Sequence, residues 1–157
     1  MQKAFIIYAS MSGNTEDIAN IIKETLKEHQ IAIDCADMDE ADADSLMLYD
    51  YVFIGTYTWG DGDLPYEAEG FYEDISNLQL NGLRTACFGS GDHAYPKFCE
   101  AVTLFSHVLE EAGAALYPET LKIELAPETA EDKECCKEFV RGFLAWAAHH
   151  GDQCHVS

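Results

Sequence analysis

Basic side chains are scarce in this sequence: Lys plus Arg number 9 against 29 Asp plus Glu, a formal net charge of −20. Such a chain repels nucleic acid and anionic lipid and attracts basic surfaces, which argues against DNA or RNA binding. No apolar run reaches the length needed to span a bilayer. Met1-Gln2-Lys3 leads straight into Ala4-Phe5-Ile6-Ile7, without the basic region, long apolar stretch and small-residue cleavage site of a secretory leader, so a cytoplasmic location is expected. Cysteine is present six times but never with C-x-x-C spacing: Cys35, Cys87, Cys99, Cys135, Cys136 and Cys154. Several fall inside apolar runs, and reduced, mostly buried thiols are the expected state. A Cys135–Cys136 redox pair is disfavoured because adjacent helical residues point about 100° apart. A metal held by His149, His150, Cys154 and His155 is disfavoured because chain termini rarely fix ligands, and no metal is expected. The sequence also lacks a GxGxxG fingerprint, a Walker A loop, internal repeats and low-complexity tracts.

What is present suits one core. A chain of 157 residues that is 48% hydrophobic is long enough for a single domain and too short for two. The expected domain covers 1–150, with 151–157 as a poorly ordered tail. Apolar, β-branched segments alternate with segments of helical period, the mark of a parallel sheet covered by helices on both faces. Strands are expected at 3–9, 31–36, 51–55, 83–89 and 121–125, the second of them alternating enough for an edge. Helices are expected at 14–29, 67–76, 97–112 and 127–149. In the first, Ile18, Ile22 and Leu26 recur every four residues with Ala19 on the same stripe. Val102, Phe105, Leu109 and Ala112 form the stripe of the third. Phe139, Val140, Phe143, Leu144 and Ala147 form that of the last. The acids at 37, 39, 40, 42 and 44 read as a solvated connection.

Three segments that follow strands are unusual. The first, Ser10-Met11-Ser12-Gly13-Asn14-Thr15, sets four side-chain donors and a glycine between a buried strand and a helix start. One such residue is explained by helix capping. The set is better explained by an anion site built from hydroxyls and helix N-terminal amides, which needs no Lys or Arg. The second loop, 56–65, places Trp59 beside Gly60, Asp61, Gly62 and Asp63. An indole among polar loop neighbours is poorly explained as core and well explained as a surface for stacking an aromatic ligand. The third, Gly89-Ser90-Gly91-Asp92-His93-Ala94-Tyr95-Pro96, carries a second loop aromatic, and a ring held between Trp59 and Tyr95 would suit both.

These residues, Ser10 to Thr15, then Thr58-Trp59-Gly60-Asp61-Gly62, then Gly89-Ser90-Gly91-Asp92 through Tyr95 to Phe98-Cys99, resemble the flavodoxin family over essentially the whole chain. The resemblance implies an α/β three-layer sandwich with a five-stranded parallel sheet in the order 2-1-3-4-5 and helices on both faces. In such sheets ligands bind beyond the strands' carboxyl ends where the strand order reverses, a rule for which flavodoxin is itself one of the founding examples. The stretch 116–125 is too short for the extra segment of long-chain members, so the short-chain type is implied. Met11 stands where a hydroxyl residue is common and retains only its backbone N–H.

By the same resemblance FMN is the cofactor. Its phosphate would lie in the first loop, on backbone N–H groups including those of Met11 and Gly13 and on the side chains of Ser10, Ser12, Asn14 and Thr15. Thr58 would reach the phosphate or the ribityl chain, with Thr56 and Tyr57 beside it. Trp59 would cover the inner face of the ring and Tyr95 the outer. Backbone groups around Gly60, Asp61, Ser90, Gly91, Asp92, Phe98 and Cys99 would meet the ring edge. Gly60, Trp59 and Tyr95 would tune the redox chemistry, Gly60 by a peptide flip that positive φ makes easy for glycine. The implied function is a low-potential one-electron carrier, not an enzyme, that cycles mainly between neutral semiquinone and anionic hydroquinone. Its partners would be an NAD(P)H-dependent flavodoxin/ferredoxin reductase and acceptor redox enzymes presenting basic surfaces, and the carrier is expected to be a monomer. The rival is an NAD(P)H:quinone oxidoreductase of related fold, whose substrate Tyr95 would block. A phosphoacceptor domain would need acids at the end of the first strand, and 10–15 holds none.

Overall fold

A computed structural model describes residues 2–9, 13–58, 64–91 and 99–156, with side chains through residue 149. Strands and helices alternate: β1 (Lys3–Tyr8), α1 (Asn14–Glu28), β2 (Ala32–Asp37), a 3-10 helix (Ala43–Leu48), β3 (Tyr51–Tyr57), α2 (Tyr66–Ser76), β4 (Arg84–Gly91), α3 (Glu100–Glu111), β5 (Ala115–Leu116), β6 (Leu121–Glu124) and α4 (Ala130–Val156). Every strand pair is parallel, in the order β2-β1-β3-β4-β5, with β6 also paired to β4.

The central strands are apolar at successive positions because both faces are covered. On β1, Ala4 and Ile6 enter one core with Ile18, Ile22 and Leu26 of α1 and Phe139, Val140 and Phe143 of α4. Phe5 and Ile7 enter the opposite core with Phe71 of α2 and Val102, Phe105 and Leu109 of α3. On β3 the same alternation sends Phe53 one way and Val52 and Ile54 the other. Each fully buried side chain of this size contributes about 1.5–3 kcal/mol relative to its exposed state.

The structure adds detail to several sequence expectations. The sheet has six strands, because its fifth position is shared by β5, which pairs with Arg84 and Thr85, and β6, which pairs with β4 from Phe88 to Gly91. Pro118 lies between them and has no N–H to give a ladder, so pairing stops after the Tyr117 N–H bond to the Thr85 carbonyl (2.8 Å). β3 and β4 run on through Thr56, Tyr57, Ser90 and Gly91, with Thr56 beside Gly89 and Tyr57 beside Ser90, so these residues are strand and not loop. α3 is described from Glu100, after Cys99 in the left-handed region (φ 55°), and the expected start at 97 lies outside the described residues. The acidic connection is exposed at Asp37, Asp39, Glu40, Asp42 and Asp44, yet it folds into the 3-10 helix and is pinned by the buried Met38 and Leu46. α4 starts where the Thr129 hydroxyl caps the Asp132 amide (3.0 Å).

Candidate functional site

The chain leaves β1 through α1 toward β2 on one side and returns to β3 on the other, so β1 and β3 part company at their carboxyl ends. Their ladder closes with the Ala9 amide on the Gly55 carbonyl (3.0 Å). Directly beyond, α1 starts at Asn14. Its N-cap, Gly13, holds φ 88° and makes no side-chain cap. Glycine adopts this conformation at little cost. Glu16 in that turn accepts a hydrogen bond from the Tyr8 hydroxyl (3.1 Å). Burial, reinforced by Glu16, pushes the Tyr8 phenol up to about 12, so it stays protonated and donating.

The end of β3 contributes three hydroxyls. Thr56 is buried and donates to the Tyr57 carbonyl (2.9 Å). The Tyr57 hydroxyl donates to Glu67 Oε1 of α2 (2.8 Å), and burial together with this carboxylate raises its pKa. Thr58 Oγ1 accepts from the Ala101 amide (3.1 Å), in the first turn of α3, whose own N-cap Cys99 gives no side-chain cap. From the end of β4, Ser90 Oγ lies 2.8 Å from Thr15 Oγ1, both buried. The Gly91 carbonyl accepts the Leu125 amide (2.7 Å). Burial pushes the Cys99 thiol up to about 12, which keeps it protonated and inert.

Gly13, Asn14, Thr15, Thr56, Tyr57, Thr58, Ser90, Gly91 and Cys99 are therefore gathered at one end of the sheet. Ser10, Met11, Ser12, Trp59, Gly60, Asp61, Asp92, Tyr95 and Phe98 lie outside the described residues. The Thr15 hydroxyl meets Ser90 and not solvent. The tie from Thr58 to Ala101 was not anticipated, and no local pattern signals it, since the partners are 43 residues apart. Among the described residues no group of His, Cys, Asp and Glu could hold a metal ion, and no helix is long and apolar enough to cross a membrane. Chemically, the end of the sheet offers helix amides and buried hydroxyls but no described nucleophile with a lowered pKa. It is suited to holding a phosphorylated ligand.

These features define a doubly wound α/β domain in which α1 starts at the switch point of the sheet. A sequence profile of the flavodoxin family matches residues 6–139, and the chain belongs to that family, whose members are FMN-binding electron carriers. It is 67% identical over 158 residues to probable flavodoxin 1 of Bacillus subtilis (strain 168), with all of both chains covered. Among solved structures it is similar to oxidised flavodoxin 2 from Bacillus cereus, at 52% identity and a TM-score of 0.89, covering 91% of this chain and 98% of the other. A short-chain flavodoxin associated with a bacterial microcompartment has 32% identity and the same TM-score of 0.89, with 94% and 99% covered.

Proposed function

We propose that this chain binds FMN non-covalently at the β1/β3 end of the sheet and works as a low-potential one-electron carrier in the cytoplasm, as a single-domain monomer over residues 1–150. The observation that carries this reading is the start of α1, with Gly13 in the left-handed region and no side-chain cap, set against the ends of β3 and β4 in a flavodoxin-family chain. FMN would supply the redox chemistry. The loop 10–15 would hold its phosphate through backbone amides and the side chains of Ser10, Ser12 and Asn14. Thr58, which accepts from Ala101, keeps its own hydroxyl hydrogen to donate to the ligand. Trp59 and Tyr95 would flank the ring and limit water, and Gly60, Asp61, Asp92, Phe98 and Cys99 would line its edge. The carrier would cycle mainly between neutral semiquinone and anionic hydroquinone. It would pass electrons from an NAD(P)H-dependent flavodoxin/ferredoxin reductase to acceptor redox enzymes.

Partner binding through basic surfaces is supported by the net charge of −20. An open cleft of about 490 Å³ between residues 38–41 and α2 adds to that support, with Asp39, Glu67 and Glu69 on its walls beside the exposed Tyr66. Contacts of this kind are steered by charge and weaken with salt, which suits a carrier that must dissociate quickly.

The test is a visible absorption spectrum of purified protein, oxidised and then half reduced without oxygen. A flavin spectrum with a long-wavelength radical band, together with negligible NADPH oxidation by the protein alone, is expected. Gly60→Ala should lower the maximum radical yield. A colourless protein that leaves the fluorescence of added FMN unchanged would overturn the proposal, and brisk NADPH turnover would point to an enzyme.

A further inference from the structure

α2 turns Ala68, Phe71 and Ile75 into the core, and its opposite face carries Tyr66, Glu69, Gly70 and Glu73 at helical spacing. That face walls the cleft of about 490 Å³ whose far side is residues 38–41. Two of its residues have no explanation inside the chain. The Tyr66 ring is 88% exposed, an apolar surface left in water. Gly70 stands in a helix interior, where only proline is less favourable. Its φ is not positive and nothing lies within 4 Å of the Cβ it lacks, so neither conformation nor crowding calls for glycine. The missing side chain does leave room for an incoming group to reach the helix backbone. Around this gap the charge is of one sign. Glu67 is held by the Tyr57 hydroxyl (2.8 Å), which fixes its carboxylate before anything binds. Among the described residues no Lys or Arg pairs with Asp39, Glu67, Glu69 or Glu73.

We infer that this cleft docks an arginine-bearing segment of the redox partner, which lies against α2 at the Gly70 gap with its guanidinium between the Tyr66 ring and the acidic wall. The inference rests on the carrier reading, which supplies the partner. Arginine suits the wall better than lysine, because a planar guanidinium stacks on an aromatic face while its N–H groups fork onto carboxylates. A second copy of this chain, at a net charge of −20, is repelled and does not fit. Residues 38–41 follow β2, at the edge of the sheet away from β4. The contact is therefore additional to any made at the loops after β3 and β4, and it would fix the partner's orientation.

A tetra-arginine peptide titrated into isotopically labelled protein, as purified, tests the occupant. It should shift the backbone NMR signals of residues 38–41 and 66–74 ahead of other acidic segments, and tetralysine of equal charge should bind about two- to fivefold more weakly. Gly70→Gln fills the gap without adding charge, and Tyr66→Ser removes the ring. Each should weaken the peptide about three- to tenfold. Gly70→Ala, a smaller filler, gives the same comparison should glutamine disturb the helix. In NADPH-driven reduction by a flavodoxin reductase, the same variants should raise KM by a similar factor and leave kcat within about twofold. Signals that shift evenly over every acidic segment, or a Gly70→Gln variant that binds the peptide as the wild type does, would overturn the cleft as a docking site. An unmoved KM in Gly70→Gln and Tyr66→Ser would overturn its use by the partner. A sample without a flavin spectrum would instead end the carrier reading, whatever the peptide does.

Discussion

Thr58, just past the end of β3, accepts a hydrogen bond from the Ala101 amide (3.1 Å) and so serves as the cap of a helix it does not belong to. α3 needs this. Its N-cap Cys99 sits in the left-handed region and offers no side-chain oxygen, which would leave a first-turn N–H unpaired. Replacing the hydroxyl with a methyl of the same shape, Thr58→Val, should destabilise the apoprotein by about 1 kcal/mol. Denaturant unfolding reads the loss, and faster hydrogen exchange at Ala101 locates it. Unchanged exchange there would mean the cap contributes nothing.

Gly89 and Gly70 should respond oppositely to alanine. A Cβ on Gly89 would collide with the Thr56 carbonyl and the Val102 side chain, at the place where β3 and β4 approach under α3. Backbone cannot rotate away as a side-chain tip can, and Gly89→Ala should destabilise by about 1–3 kcal/mol or more. Gly70, exposed within α2, has nothing within 4 Å of its would-be Cβ. Gly70→Ala should stabilise by about 0.5–1 kcal/mol, because alanine loses less backbone freedom on forming a helix. Paired melting curves decide both.

The Asp37 carboxyl is raised above the ordinary aspartate range by desolvation, then by Asp39, Glu40, Glu16 and Glu67. A carboxyl that holds its proton more tightly when folded than unfolded adds stability below its unfolded pKa and loses that contribution as pH rises through the folded one. At neutral pH its charge opposes folding. Asp37→Asn should therefore raise the melting temperature at pH 7, and the advantage should vanish as the pH falls below the unfolded aspartate range, near 4. A variant that melts below the wild type at pH 7 would contradict this sign.

The thiols should divide by exposure. Cys87, Cys99 and Cys136 are buried and pushed up to about 12, chiefly by desolvation, whereas Cys35 and Cys135 are exposed. Since the thiolate is the reactive form, brief iodoacetamide treatment of native protein should modify Cys35 and Cys135 and spare Cys87, Cys99 and Cys136. Peptide mass mapping reads the pattern. Rapid loss of Cys99 would mean that its loop opens readily. Cys135 and Cys136 are neighbours that face different surroundings, which leaves no basis for a disulfide between them.

Much of the architecture was legible in residue order. Ile18, Ile22 and Leu26 announced α1, and the unbroken apolar run of β1 announced a strand covered on both faces, because period and continuity record which sides are buried. The hydroxyls crowded around Gly13 mark 10–15 as a candidate phosphate loop, of which 10–12 lie outside the described residues. Pro118 could have warned that the last strand is divided, since a missing N–H is a local fact. Thr56, Tyr57, Ser90 and Gly91 read as loop in the sequence because their polarity and glycine content favour turns locally. They are strand because β3 and β4 lie side by side and offer ladder partners. The bonds from Thr15 to Ser90 and from Thr58 to Ala101 belong wholly to the tertiary level. Residue order determines what each segment wants to bury or bond. Only the register of the parallel sheet, set by all the segments packing together, decides which distant hydroxyl meets which.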